Sequence, residues 1–448
     1  MFRRNFLKHF GLGGAFGLLA DRTAGAEAAP EPTRQDVSVG SIDLSEMEII
    51  DVHVHQPAEM TLSESHAKWN GSFVDALTPA YDYPGKEALR DRLSVTFKEH
   101  LYRIPRQVGM EAYMARTYGV EASPEGVDSI QAKHIGGDYT AYIRSILDRE
   151  KISAILLQSA DREPVRPKSL VPDDRFAWSY YTNYMIQPDW AEEKGAQQIG
   201  DVTEAMDSVL EAAKSNGCAG LKVSAAYYRP LGIEKVTEAQ ANRDLKALLA
   251  SDAPYGGHHR IPLYDDPELQ KALRSYQDFL LRHMYVKAGE LGLRIIIHSA
   301  VALHPALQFE NNSPLGLWHV FQDDEIKRVE TQFVIIHSAY PYHHHLASLL
   351  SEFPNVYADV SFYSNFPGTL EEILRAFLGL APSEKIMHGA DSGIVPETMG
   401  YCADNMRRVL AKVLNDYRMH YGWSEKDCEK MARNVLSENA KRVYGIQT

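Results

Sequence analysis

The chain has 448 residues, of which 44% are hydrophobic, 10% aromatic and 24% charged, and a formal net charge of -13. These proportions describe a globular protein and exclude a disordered, collagenous or polytopic membrane chain. An excess of 60 acidic over 47 basic residues, without a basic run, argues against a nucleic-acid partner. Cys218, Cys402 and Cys428 lie far apart without CxxC spacing, which excludes a disulfide framework and a cysteine zinc site. Histidine, at 18 residues, is the type that asks for an explanation.

The first segment, residues 1–28, pairs Arg3 and Arg4 ahead of Phe6-Leu7-Lys8. It continues in a Gly-rich apolar stretch from Gly11 to Ala20, too short to span a bilayer, and ends in small residues around Ala24-Gly25-Ala26. This order resembles a twin-arginine signal peptide. The resemblance implies the twin-arginine export machinery as a partner, a periplasmic or otherwise exported location, and no stable membrane span after cleavage. Residues 29–46 are polar and Pro-bearing and read as a linker.

From residue 47 onward, eight short apolar or β-branched runs follow one another. They are Glu48–His55, Ile152–Gln158, Phe176–Tyr181, Ala219–Ser224, Leu293–His298, Gln332–His337, Val356–Ser361 and Lys385–Asp391. Runs of this kind suit parallel strands buried on both faces. Helical patterns lie between most of them, among them Pro267–Glu290, which stops near Gly292, and Glu397–Tyr417 and Glu425–Tyr444 at the end. Strand alternating with helix predicts an α/β fold, a (β/α)8 TIM-type barrel over residues 47–448. An open doubly wound sheet is the runner-up, but no Gly-rich phosphate turn follows the first strand.

Two connections exceed the barrel's needs. Residues 56–150 form a helical insertion after strand 1, with helix formers over Lys86–Tyr102 and Glu111–Tyr118. A long loop, Tyr227–Asp266, follows strand 4 and carries His258 and His259. Both leave the strand ends where barrel active sites lie, so each reads as a lid, or alternatively as helical padding or a homo-oligomer contact.

Chemistry concentrates at those strand ends. His53 and His55 alternate at the end of the first strand and share one face, a spacing that suits a divalent cation. His298 and His337 each end an apolar strand and are each followed by Ser-Ala, and Asp391 ends the last one. A closed barrel brings these ends to one mouth, so five potential ligands point into shared space. The bland reading, five isolated core residues each satisfied by a carbonyl, requires a coincidence at five equivalent positions. Lys222, on the fourth strand, is either a plain buried cation or a neutral amine able to react with carbon dioxide. Arg229, with Tyr228 beside it, is either a bidentate clamp for a substrate carboxylate or an ordinary loop arginine. His343, His344 and His345 read as solvated or as a loop contact. His304, His388, Tyr181, Arg162 and Trp69 carry no specific argument, with His388 pointing away from the mouth.

These residues resemble the amidohydrolase superfamily, in its amidohydrolase-2 branch, from Ile49 to Gly445. The resemblance rests on Ile50-Asp51-Val52-His53-Val54-His55, the His298 and His337 strands, Gly389-Ala390-Asp391 and the ending Asn434–Gly445. Gly220–Arg229, His337–Tyr342 and Asp391–Glu397 are similar to the amidohydrolase-like domain that FluG-type proteins carry fused to glutamine synthetase. No such partner domain follows, so this chain reads as a stand-alone relative. The resemblance implies His53, His55, His298 and Asp391 as metal ligands, with His337 as ligand of a second metal or as a group orienting water or substrate. It implies zinc first, with manganese or iron as alternatives: one ion, or two if Lys222 is carbamylated. Asp391 would take a proton from the attacking water, with His337 as the other catalytic candidate. The expected function is a metal-dependent hydrolase cleaving a C–N or related bond of a small anionic substrate. A metal-dependent decarboxylase of the same fold is one alternative, and an exported binding protein without catalysis is another. A uronate-isomerase-like activity is fainter.

Overall fold

Each of the eight apolar runs forms a strand in the computed structural model, which describes residues 41–448 apart from 79–81, 102–103, 252–265 and 301–307. The signal segment, most of the linker, His258, His259, His304 and the side chain of Trp69 lie outside the described residues. The strands are β1 (Ile49–Val54), β2 (Ile152–Ser159), β3 (Phe176–Tyr181), β4 (Gly220–Val223), β5 (Arg294–His298), β6 (Phe333–Ile336), β7 (Val356–Asp359) and β8 (Ile386–Met387). They pair in parallel in sequence order, β1 to β8. The ring closes where β8 runs back along β1: Val52 N donates to His388 O (3.1 Å), Asp391 N to His53 O (2.9 Å) and His55 N to Ser392 O (2.7 Å). The architecture is a (β/α)8 barrel.

Five helices fill the connection from β1 to β2: α1 (Leu62–Leu77), α2 (Lys86–Leu101), α3 (Pro105–Tyr118), α4 (Pro124–Gln131) and α5 (Tyr139–Arg149). The wall of the barrel follows with α6 (Pro188–Glu193), α7 (Ile199–Ser215), α8 (Glu238–Leu249), α9 (Pro267–Leu291), α10 (Trp318–Gln322) and α11 (Asp324–Arg328). It is completed by α12 (His343–Glu352), α13 (Pro367–Leu380), α14 (Glu397–Tyr421), α15 (Glu425–Arg433) and α16 (Asn439–Tyr444). Among the described residues no helix is long and apolar enough to cross a membrane.

One sequence expectation is corrected. The stretch after β4 is more than a loop, because α8 lies in it, capped by Thr237, whose side chain accepts from Gln240 N. The final helical stretch, Glu425–Tyr444, is helical throughout, with a π-helical turn over Asn434–Glu438 between α15 and α16. Asn439, just past that turn, donates from Nδ2 to Ser383 O (2.7 Å) and Ile386 O (2.8 Å), which ties the chain end to the start of β8.

The interior of the barrel is apolar at the strands' N-terminal ends. Ile50, Val52, Leu156, Ile296, Val334, Ile336 and Met387 pack there with Val443, Tyr444 and Ile446. This plug leaves the C-terminal ends of the strands as the face where polar groups gather. The insertion docks beside that face. α5 buries Tyr139, Tyr142, Ile143, Ile146 and Leu147 at three- and four-residue spacing, the stripe of an amphipathic helix. Tyr142 Oη and Gln131 Nε2 (3.0 Å) both donate to the buried carboxylate of Glu397, at the start of α14. Gln131 Oε1 in turn accepts from Leu62 N at 2.6 Å, so one carboxylate anchors three insertion helices.

Candidate metal centre at the strand ends

Strict strand alternation would not place both Val52 and His53 inward, yet Val52 lies in the interior plug and His53 in the polar cluster. The register explains it. Asp51 pairs with Ile155 and Val54 with Leu157, so β1 advances three residues while β2 advances two. This bulge re-aims the strand, and His53 and His55 both face Asp391. Asp51, buried beneath them, accepts from His53 N (3.1 Å) and Ala390 N (2.9 Å), which locks the end of β1 to the segment after β8.

Asp391 is positioned by that segment rather than by strand alternation, because β8 ends at Met387. Its backbone is left-handed, at φ 53°, a strain held by the Asp391 N bond to His53 O. Gly389 is needed on the way: a Cβ there would sit 2.8 Å from Ser361 Cβ and 3.4 Å from His53 Cβ. His388 is buried, and neither of its ring nitrogens has a hydrogen-bond partner among the described residues.

His337 also lies just past its strand, in a turn where His337, Ser338 and Ala339 all have positive φ. Asp359, at the end of β7, accepts from His337 N (3.0 Å), Ser361 N (2.9 Å) and Ser361 Oγ (2.5 Å). Ser361 has one hydroxyl proton and gives it to Asp359, so its oxygen accepts from His337 Nδ1, 2.8 Å away. That assigns His337 the Nδ1–H tautomer and leaves the Nε2 lone pair for a ligand.

Around Asp391, His53 Nε2 is 3.3 Å and His55 Nε2 3.1 Å from Oδ1, and His337 Nδ1 is 3.9 Å from Oδ2. One ligand atom each from His53, His337 and Asp391 falls within a 4.8 Å span. Lys222 Nζ stands 3.3 Å from His53 Nε2. His298 is one ring further out: its centroid is 4.8 Å from that of His337, and its Nε2 lies 3.2 Å from Ala300 O. Tyr227, which the sequence did not single out, packs 4.4 Å from His298 between ring centroids.

Burial pushes His53 and His298 down to about 3, reinforced by the Lys222 ammonium, and lowers His337 in the same sense. Burial alone would raise Asp391, but the surrounding imidazoles outweigh it and hold the carboxylate well below its ordinary range. Lys222 is pushed down to about 8 by burial, against the attraction of Asp391 and Asp359. Burial also lifts Asp51 to about 8 and Asp359 to about 6. Neutral imidazoles around an ionised carboxylate are the protonation states a divalent cation requires of its ligands. The donor set therefore fits a zinc-type ion.

Arg229 is not available as a clamp. It is buried, ion-paired with Asp278 of α9, and its Nη2 donates to Gly232 O at 3.0 Å. Tyr228 Oη accepts from Gln187 Nε2 at 3.1 Å. Arg162, exposed, pairs with Glu193 at 2.9 Å. Besides Lys222, a cation in the field of the cluster is Arg106, on the first turn of α3, whose electrostatic neighbours are Cys402, Asp391 and Tyr401. Arg106 shares a helix face with Gly109, Met110 and Tyr113. A Cβ on Gly109 would overlap Tyr401 Oη at 1.9 Å, so that face lies directly on α14. No local motif marks Arg106, and only the docking of the insertion reveals it.

A family model described as Amidohydrolase, the Amidohydro_2 family, matches residues 196–446. The chain belongs to this amidohydrolase family. Protein fluG of Emericella nidulans is 32% identical over 121 residues, 26% of this chain. The amidohydrolase chain spans only 14% of that relative's length. Among solved structures, a protein described as a candidate metal-dependent hydrolase from Lactobacillus casei superposes with a TM-score of 0.67 at 17% identity, covering 91% of this chain and 98% of its own. The uronate isomerase of Thermotoga maritima superposes at 0.63 with 12% identity, covering 89% and 95%. At these identities the likeness is one of fold.

Proposed function

We propose that this amidohydrolase is a metal-dependent hydrolase of small anionic substrates, cleaving a C–N or related bond. The observation that carries the reading is the convergence of His53, His55, His337 and Asp391 at the barrel mouth, with His53 and His337 held neutral and the carboxylate ionised. His53, His55, His298 and Asp391 would hold the ion, zinc before manganese or iron. A bound divalent cation supplies Lewis acidity to the substrate's acceptor oxygen and to water. Asp391 accepts a proton from the attacking water, the water oxygen bonds to the carbonyl carbon, and the C–N bond breaks. The proton held on Asp391 then passes to the leaving nitrogen. His337, fixed by Ser361 and Asp359, orients the water or substrate through Nε2. Arg106 and Lys222 would attract the substrate's negative charge.

Metal analysis of the purified chain, with a screen of N-acyl amino acids, lactones and aromatic carboxylates, tests the reading. The expected outcome is a bound divalent ion and hydrolysis without carbon dioxide release. A second ion that is lost on Lys222→Ala would support a carbamate on Lys222. Carbon dioxide release would replace the hydrolase with the decarboxylase, and full activity without metal would end both. Export belongs to the same proposal: replacing Arg3 and Arg4 with lysine should leave the precursor in the cytoplasm, and unchanged delivery would remove it.

A further inference from the structure

A second group of metal-binding side chains lies on the outer wall, between α12 and α13. His343 and His344 open α12, and Glu372 lies early on α13. One ligand atom from each falls within a 4.8 Å span. From the sequence these histidines read as solvated or as a loop contact, but His343 is only 3% exposed. Its ring nitrogens are buried, and what they face is two acceptors, the Pro341 backbone and the Glu372 carboxylate, neither in full hydrogen-bond alignment. A neutral imidazole needs a donor and an acceptor matched, so this ring is incompletely satisfied. Glu372 Oε1 stands 3.3 Å from Nε2.

We propose that His343, His344 and Glu372 form a second divalent-cation site, of zinc-type chemistry, separate from the strand-end centre. Two imidazoles and one carboxylate suit a borderline ion such as zinc, nickel or copper, whereas magnesium and calcium prefer oxygen donors. Zinc–ligand bonds of about 2.0–2.1 Å in a tetrahedron put neighbouring ligand atoms about 3.4 Å apart. The His343–Glu372 pair already has that spacing, and His344 and Glu372 are exposed and free to swing inward. Three protein ligands leave the fourth position to water.

The location gives the site a consequence. The His343 ring stacks on Tyr340 (centroids 5.5 Å, 8° between planes), and Tyr340 packs on Tyr363 at 4.6 Å. Tyr363 meets Phe362 at 5.2 Å, and Phe362 faces His337 at 6.5 Å. An ion joining α12 to α13 therefore clamps the segment that leaves His337, although it shares no ligand with the strand-end centre.

The test uses the full chain carrying His53→Ala and His55→Ala, stripped with a chelator and titrated with zinc chloride by calorimetry. One equivalent should still bind, raising the melting temperature. Adding His344→Ala and Glu372→Gln, both exposed positions, should weaken that binding at least tenfold. In the otherwise unaltered chain, the same two changes should remove one equivalent of zinc and leave turnover in place. If the strand-end variant does not fold, this second arm decides alone. The proposal is overturned if zinc binding is indifferent to His344 and Glu372, or if magnesium binds as well as zinc.

Discussion

The two histidine clusters of this protein use the same side chain and are built in opposite ways. At the strand ends, His53, His337 and Asp391 come from distant parts of the chain, and the backbone beside each is pinned by a buried carboxylate, Asp51 or Asp359. On the outer wall, His343 and His344 are neighbours on one helix, and the buried ring is held by stacking on Tyr340 and by contact with Glu372, with no buried carboxylate pinning the backbone beside it among the described residues. The first arrangement fixes its donors before any ligand arrives, which is the condition for catalysis. The second depends on exposed side chains closing around an ion, which suits an exchangeable clamp. Placement on separate strands, rather than the number of histidines, separates an active site from a staple.

That contrast breaks most sharply at Asp391. Asp391→Asn retains an oxygen donor but loses the base, so kcat should fall by roughly 10²–10⁴ with little change in KM. Turnover within a few-fold of the parent would move the base to His337. The variant should leave zinc at His343 unaffected, read from the calorimetric titration.

Arg229 distinguishes a strut from a clamp. Arg229→Met removes the main partner of Asp278, which is 1% exposed and keeps Arg274 (3.5 Å) and Glu234 N (3.1 Å), and should cost about 3 kcal/mol of stability in denaturant titration. KM of the folded protein should stay the same. Unchanged stability with a raised KM would restore the substrate clamp.

Arg106 is expected to matter less for folding and more for recognition. Arg106→Gln should lower kcat/KM for an anionic substrate by roughly ten- to a hundredfold, the worth of one charge-assisted hydrogen bond. A neutral analogue of the same substrate should be unaffected. Equal losses on both would show that the residue acts through the docking of the insertion.

The smallest effect concerns the anchor of the insertion. Burial raises Glu397 above its ordinary value despite the donors Tyr142 and Gln131. A raised folded-state value means that its stabilisation is full below the unfolded pKa of 4.5 and lost as pH rises through the folded value. Glu397→Gln cannot titrate, so stability against pH should flatten over that window in thermal melts. A curve of unchanged slope would place the titration elsewhere.

How much was legible in the sequence differs between these groups. The eight strands were readable because a parallel barrel strand is buried on both faces and shows as an unbroken apolar run. The strand-end histidines and Asp391 were readable because such runs end in polar residues only where something at the mouth receives them. Asp51 and Asp359 were missed, since one buried carboxylate within a strand looks like any other. Arg229 looked like a loop residue because nothing local announces Asp278, 49 positions onward.

Composition and periodicity thus determined the barrel, the order of its strands and the cluster at its mouth, all of which follow from local hydrophobic burial. The tertiary structure alone decided which face His53 takes, through a bulge measured against β2. It also decided that Asp391 reaches the cluster from beyond its strand, that Arg229 is consumed by an ion pair and that Arg106 comes within the field of Asp391. Each of these depends on a contact between segments distant in the chain, and such contacts leave no mark on the spacing of residues within either segment.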